Sequence, residues 1–143
     1  MDDADDNAPE GFAPLLNVTE LERFNGPFYM RKGPEGAALG FRCKARHLNA
    51  AGTCHGGLLA VFADMLGYGI EVGDHSGAAP TITLAIDFLA PVREGDWVEA
   101  RPEITRDTRS LTFFQALMRV EEETVARCNG IYKKRKSGPR AER

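Results

Sequence analysis

Apolar and polar positions along the chain follow two periods. Between Gly56 and Ile70 the sequence GGLLAVFADMLGYGI is apolar except at Asp64. Leu58, Leu59, Val61, Phe62, Met65 and Leu66 spread around the helical circumference rather than along one stripe, which predicts a helix buried on every side. From Thr81 to Leu89 the period changes to two: Ile82, Leu84, Ile86 and Phe88 point one way, and Thr81, Thr83, Ala85 and Asp87 the other. After Pro91 and Gly95, three more extended runs follow, Trp97 to Thr105, Ser110 to Val120 and Thr124 to Tyr132, separated by polar turns at Arg106 to Arg109 and Glu121 to Glu123. Upstream, Phe28 to Arg31 and Ala37 to Arg46 flank Lys-Gly-Pro-Glu-Gly, the chemistry of a hairpin turn. Leu15, Leu16, Val18, Leu21 and Phe24 recur at helical intervals, so a short packing helix is expected over 15–24, stopped by Gly26 and Pro27.

Hairpin, one long helix and a four-strand meander make an α+β architecture, in which an antiparallel sheet of about five to six strands wraps one central helix. No internal repeat interrupts this order. Open sheet edges, or the helix-bearing side, make a homodimer the expected assembly. The 143 residues suit one domain, read as 15–134. Acids at Asp2, Asp3, Asp5, Asp6 and Glu10, with Pro9 and Pro14, mark residues 1–14 as a disordered lead-in, and the lysines and arginines of 135–143 mark a solvated basic tail. That tail has no interleaved aromatics and the chain is net −3, so nucleic-acid binding is not expected. Cys43, Cys54 and Cys128 form no CxxC pair, which suits reduced cytosolic thiols. The acidic N-terminus lacks the bases of a secretory leader, and no apolar run approaches the ~20 residues that cross a bilayer. The expectation is a cytoplasmic protein without membrane contact.

Asp64 is the residue most in need of a reason. Burying an ionised acid without partners costs several kcal/mol, so a carboxylate in an apolar helix has either chemistry to do or a donor close by. At the helix start, Gly56 and Gly57 leave backbone N–H groups unobstructed at the positive end of the dipole, a site for a developing oxyanion. Tight packing against a strand would ask for the same glycines. Gly56 and Asp64 lie eight residues apart, hence ~12 Å along one helix. A base works within ~3 Å of the group it activates, so oxyanion donor and carboxylate should come from different chains, giving two sites per dimer. Thr81 has either a hydroxyl poised to hold water against Asp64 or a side chain suited to a strand. His47 reads as the end of a strand with a local hydrogen bond, and His75 as a loop residue. No zinc spacing links His47, Cys54 and His55, and adjacent Cys54 and His55 do not orient toward each other as a nucleophilic pair, so no metal is assigned.

Asn49, Gly52, His55-Gly56-Gly57 and Asp64, followed by Thr81 and Phe88-Leu89-Ala90-Pro91, resemble the pattern of hotdog-fold acyl-CoA thioesterases. Within the 4-hydroxybenzoyl-CoA thioesterase-like superfamily the likeness is to the phenylacetic-acid-degradation type, from about Phe24 to Lys134. The resemblance implies a hotdog fold in which Asn49 and the Gly56 N–H polarise a thioester carbonyl, Asp64 acts as general base or nucleophile, Thr81 positions water and His55 supports. It also implies coenzyme A contacts along Phe88 to Arg93, along Arg106 to Leu111 and near Lys133. Arg93, Arg106 and Arg109 sit in turns suited to phosphates, with solvated surface charge as the plainer reading. The activity implied is hydrolysis of an acyl-CoA without cofactor, by a homodimer that assembles to a homotetramer. A hotdog dehydratase or hydratase, or a non-catalytic acyl-CoA-binding protein, would share the fold. The first generally needs a histidine paired to the acid, and Asp64 has none on its helix face. The second would carry a DNA-binding segment, which the acidic first 14 residues do not resemble.

Overall fold

Long runs of alternating residues in the second half of the chain build the middle of one sheet. The computed structural model describes residues 6–70 and 79–134. It contains β1 (Ala13–Pro14), α1 (Glu20–Asn25), β2 (Tyr29–Gly33), β3 (Gly36–Arg42), α2 (Gly56–Met65), β4 (Thr81–Phe88), β5 (Trp97–Ala100), β6 (Glu103–Asp107), β7 (Leu111–Val120) and β8 (Glu123–Lys133), with 3-10 turns at Ala45–His47 and Leu66–Gly69. The strands pair antiparallel in the order β1-β2-β3-β5-β7-β8-β4, and β6 also lies on β7.

The sheet has eight strands where five to six were expected. Pro102 divides the run from Trp97 into β5 and β6, because it cannot donate to the ladder, and Ala13–Pro14 adds a two-residue strand on β2. That last strand belongs to the lead-in expected to be disordered. From Asp6 onward the segment is held: Asp6 is buried, takes a hydrogen bond from the Tyr29 hydroxyl at 2.9 Å and pairs with Lys44 at 2.8 Å. Phe12 packs edge-on against Trp97. The first helix starts at Glu20, later than the apolar spacing indicated. Thr19 forms a capping box with Glu22 there, while Leu15 is already bonded in extended form to Phe28 O. The hairpin holds, with Gly36 at φ +102° closing its turn, but β3 ends at Arg42, and His47 lies in a 3-10 turn rather than at a strand end. Most of the loop read between Gly73 and Pro80, including His75, and the tail 135–143 lie outside the described residues.

Inward residues Phe114, Ala116 and Met118 of β7 and Val125, Ala126 and Cys128 of β8 meet Leu58, Leu59, Phe62, Met65 and Leu66 of the helix region in one core cluster. Phe62 closes against Phe41 and Phe28 at ring-centroid distances of 4.9 and 6.2 Å. Each buried phenylalanine contributes about 1.5–3 kcal/mol through area removed from water. The helix is not dried on all sides within one chain, contrary to expectation. Gly57, Asp64 and Tyr68 are exposed, with Ala60 half-buried between them, and together they form a stripe at helical spacing. The sheet stops at β4, the last strand in the order, and so does not close round this side of α2.

Candidate active site

The open stripe of α2 and the edge strand β4 run side by side, and the candidate residues fall at the two ends of that pair. At the carboxyl end, Thr81 Oγ1 donates to Asp64 Oδ1 at 2.5 Å, while the Tyr132 hydroxyl donates to the backbone carbonyl of Asp64 at 2.8 Å. Strict alternation would have turned Thr81 to the outer face with Thr83. A register shift between Thr81 and Thr83 prevents this: Thr81 pairs with Tyr132, whose side chain is buried on the helix side, and Thr83 with Ile131. Directly opposed residues of an antiparallel pair share a face, so the bulge at Ile82 aims the Thr81 hydroxyl at the helix.

Asp64 itself is exposed in the single chain, so the argument from an acid sequestered in apolar surroundings does not hold there. Its charge nevertheless reaches two phenols. Burial pushes Tyr132 well above the ordinary tyrosine range, with Asp64 adding to the effect. Tyr68 rises to about 12 through burial, its hydrogen bond to Glu22 and, less, the charge of Asp64. Neither tyrosine was marked by the sequence pattern, because a phenol on a strand or in a helix extension reads as ordinary packing.

At the other end, His55 caps α2, with Nδ1 accepting from the Gly57 N–H at 2.9 Å. The neutral ring therefore carries its proton on Nε2. A Cβ on Gly57 would stand 3.1 Å from that Nδ1, so glycine there makes room for the cap. Gly56 N–H is the first helical donor and has no intrahelical acceptor. A Cβ on Gly56 would meet the Phe88 ring at 3.1 Å, so both reasons for glycine, donor access and close packing, apply at this position. Asn49 returns beside the helix start through a tight loop: its Oδ1 accepts from Ala51 N at 3.0 Å and Thr53 N at 3.1 Å, its Nδ2 donates to Thr53 Oγ1 at 3.2 Å, and Gly52 holds φ +81°. One amide hydrogen of Asn49 is left for a ligand.

Asp64 and Thr81 are thus brought together, whereas Asn49, His55 and Gly56 form a separate group along the same edge. The residues expected at coenzyme A divide in the same way. Phe88, 56% exposed, and Arg93 lie near the helix start, since Cys54 N bonds Val92 O beside them. Arg106, Arg109 and Lys133 surround the β6–β7 turn, where Leu111 pairs with Lys133 and Lys133 N bonds Pro80 O, next to Thr81. All five side chains are exposed. A concavity of about 790 Å³ lies elsewhere, on the outer sheet face among Asp87, Glu99, Arg101, Arg119 and Arg127, and contains none of these residues. His47 is buried with Nδ1 accepting from Lys44 N–H and Nε2 2.8 Å from Asn25 O, so its local hydrogen bonding is as expected and leaves neither nitrogen for chemistry. No group of three or more His, Cys, Asp or Glu side chains placed to hold a metal ion occurs among the described residues, and no helix there is long and apolar enough to cross a membrane.

Residues 51–127, more than half of the chain, match the thioesterase superfamily. The chain belongs to that superfamily. Over 129 residues this thioesterase-superfamily chain is 33% identical to "Putative esterase PA0474" of Pseudomonas aeruginosa, covering 88% of its own length and 96% of the relative's. A mutant of the phenylacetic acid degradation protein PaaI from Thermus thermophilus superposes with a TM-score of 0.71 at 24% identity, over 82% of this chain and 100% of that one. A Streptococcus mutans protein bound to acetyl CoA superposes with a TM-score of 0.70 at 16% identity, over 85% and 95% of the two chains. The hotdog fold and the likeness to the phenylacetic-acid-degradation type, expected from Asn49, His55-Gly56-Gly57 and Asp64, are both borne out.

Proposed function

We propose that the chain is an acyl-CoA thioesterase that hydrolyses a small-molecule acyl-CoA to the free acid and CoA, at a site completed by a second copy of itself. The observation that carries this reading is the 2.5 Å contact between Thr81 and Asp64 on an edge that also bears the Gly56 donor. Asp64 acts as general base on water, or attacks the carbonyl directly. Thr81 orients the water, and Gly56 N–H with Asn49 stabilises the oxyanion, with His55 fixing the helix start. Losing one oxyanion donor typically costs ~3–4 kcal/mol of transition-state stabilisation.

Two-fold symmetry supplies the missing proximity. β4 is an edge strand in which Ile82 and Phe88, like Leu89 just beyond it, are more than half exposed, and pairing it with its own copy antiparallel sets the Thr81 end of one chain against the Phe88 end of the other. Asp64 then faces the partner's helix start. The same operation joins Arg106, Arg109 and Lys133 of one chain with Phe88 and Arg93 of the other, a basic and aromatic mouth for the CoA nucleotide. The acetyl-CoA-bound relative supports a CoA thioester as ligand. Dimers pair further into a homotetramer, and the three free thiols suit a cytoplasmic setting. No metal or redox cofactor enters the reaction.

Measuring CoA release from short-chain, branched, medium-chain and aromatic acyl-CoAs tests the activity. Turnover of at least one class is expected. Tight binding of acyl-CoA without release would instead mark a non-catalytic binder.

A further inference from the structure

The open stripe of α2 continues past Asp64. Tyr68, one turn beyond the carboxylate in the 3-10 turn Leu66–Gly69, follows Gly57, Ala60 and Asp64 at helical spacing and is 41% exposed. Two neighbours hold the stripe from opposite sides. Thr81 of β4 reaches Asp64 at 2.5 Å, and Glu22 of α1 accepts from the Tyr68 hydroxyl at 2.9 Å. β4 is the last strand of the sheet at one end, whereas α1 leads into β2, near the other. Glu22 is itself fixed: it is buried, and the same Oε1 accepts from Thr19 N at 2.9 Å within the capping box. We infer that Tyr68, held by Glu22, is the end wall of the acyl pocket and limits substrates to short, uncharged, apolar acyl groups, an inference that rests on the thioesterase reading with Asp64 beside the thioester carbonyl.

The direction of the acyl group follows from what holds each side chain. With the CoA mouth at Thr81 and Lys133, the thioester approaches Asp64 from the β4 side of α2. An acyl group that crosses the carboxylate then runs toward α1 and meets the Tyr68 ring. Four residues set the two positions ~6 Å apart along the helix axis, room for a short chain and not for a fatty one. The ring does not swing aside freely, because moving it would take a donor from the buried Glu22 carboxylate. The wall also selects by chemistry. With its hydroxyl turned to Glu22, Tyr68 presents ring carbon to the ligand, and α1 exposes more than half of Leu21 and Phe24, apolar surface of the kind such a ligand covers. The Glu22 carboxylate behind the ring opposes a second carboxylate on the acyl group.

The test compares kcat/KM of the intact chain, Tyr68→Ala and Tyr68→Phe for acetyl-, butyryl-, hexanoyl-, octanoyl- and decanoyl-CoA, with succinyl-CoA as the charged counterpart of butyryl-CoA. Wild type should lose about tenfold or more between hexanoyl- and decanoyl-CoA, and should prefer butyryl- to succinyl-CoA. Tyr68→Ala should raise the decanoyl-to-butyryl ratio by about tenfold or more, while Tyr68→Phe, which keeps the ring, should stay close to wild type. A general folding defect lowers every substrate together and leaves that ratio unmoved. The inference is overturned if wild type accepts decanoyl- as readily as butyryl-CoA, if Tyr68→Ala leaves the ratio unchanged, or if succinyl- and butyryl-CoA react alike. Wild type that turns over none of the series would sink the thioesterase reading instead. Dissociation constants for the same series then decide the wall: Tyr68→Ala should tighten decanoyl- relative to butyryl-CoA, and parallel constants would overturn it.

Discussion

Asp64 and Thr81 show what single residues did and did not disclose. A lone charge in an apolar helix pointed to Asp64 directly. For its partner Thr81 the sequence left two readings, a hydroxyl near Asp64 or a plain strand residue, and only the family likeness favoured the first, because the bulge at Ile82 that turns Thr81 toward the helix leaves no mark in composition. The exposed setting of Asp64 was likewise hidden, since hydropathy cannot tell a surface covered by the same chain from one left for another. With the Thr81 contact in place, Asp64→Asn should fold normally and bind substrate while kcat falls by about 10²–10⁴-fold, the usual contribution of a positioned base. Near-normal turnover would remove Asp64 from the chemistry. Thr81→Ser should retain most activity and Thr81→Ala lose about 10- to 100-fold, since hydrogen bonds to charged groups contribute about 1.5–3 kcal/mol. Equal rates for the two would assign Thr81 to the strand alone.

Elements were legible where period and punctuation agreed. The hairpin, α2, β4, β7 and β8 stand where the period of apolar residues placed them. Boundaries moved where a local contact outweighed the period: the Thr19 capping box delays α1, and Pro102 splits one strand in two. The packing of β8 against β4, which fixes the edge beside α2, depends on a glycine whose role the sequence did not reveal. A Cβ at Gly130 would stand 2.8 Å from the Thr83 carbonyl oxygen and 2.6 Å from the Phe114 ring, and the first of these is backbone that cannot swing aside. Gly130→Ala should therefore destabilise by about 1–3 kcal/mol, as overpacking does. Chemical denaturation checks this, and an unchanged midpoint would mean that β4 yields easily.

At the scale of the whole molecule, charge and assembly carry the remaining consequences. Tyr68 and Tyr132 both hold their protons more tightly when folded than their ordinary value of 10 allows. The folded chain then binds more protons than the unfolded one at alkaline pH. Stability contributed by the neutral phenols is complete below about 10 and declines as pH rises toward 12. Denaturation midpoints measured from pH 8 to 11 should fall, and Tyr132→Phe should fall less steeply. Parallel slopes would contradict the linkage. The proposed two-chain site rests on α2 geometry already legible in sequence, since eight helical residues separate Gly56 from Asp64. The strand edge that would join the chains became visible only with the sheet order. Subunit complementation tests this most directly: Asp64→Ala chains and Asn49→Ala chains, each nearly inactive alone, are mixed under conditions where exchange is verified by mass-tagged subunits. Hybrid dimers carry one intact site, so about a quarter of wild-type activity should return on random exchange. Exchange without any recovery would contradict a site shared between chains.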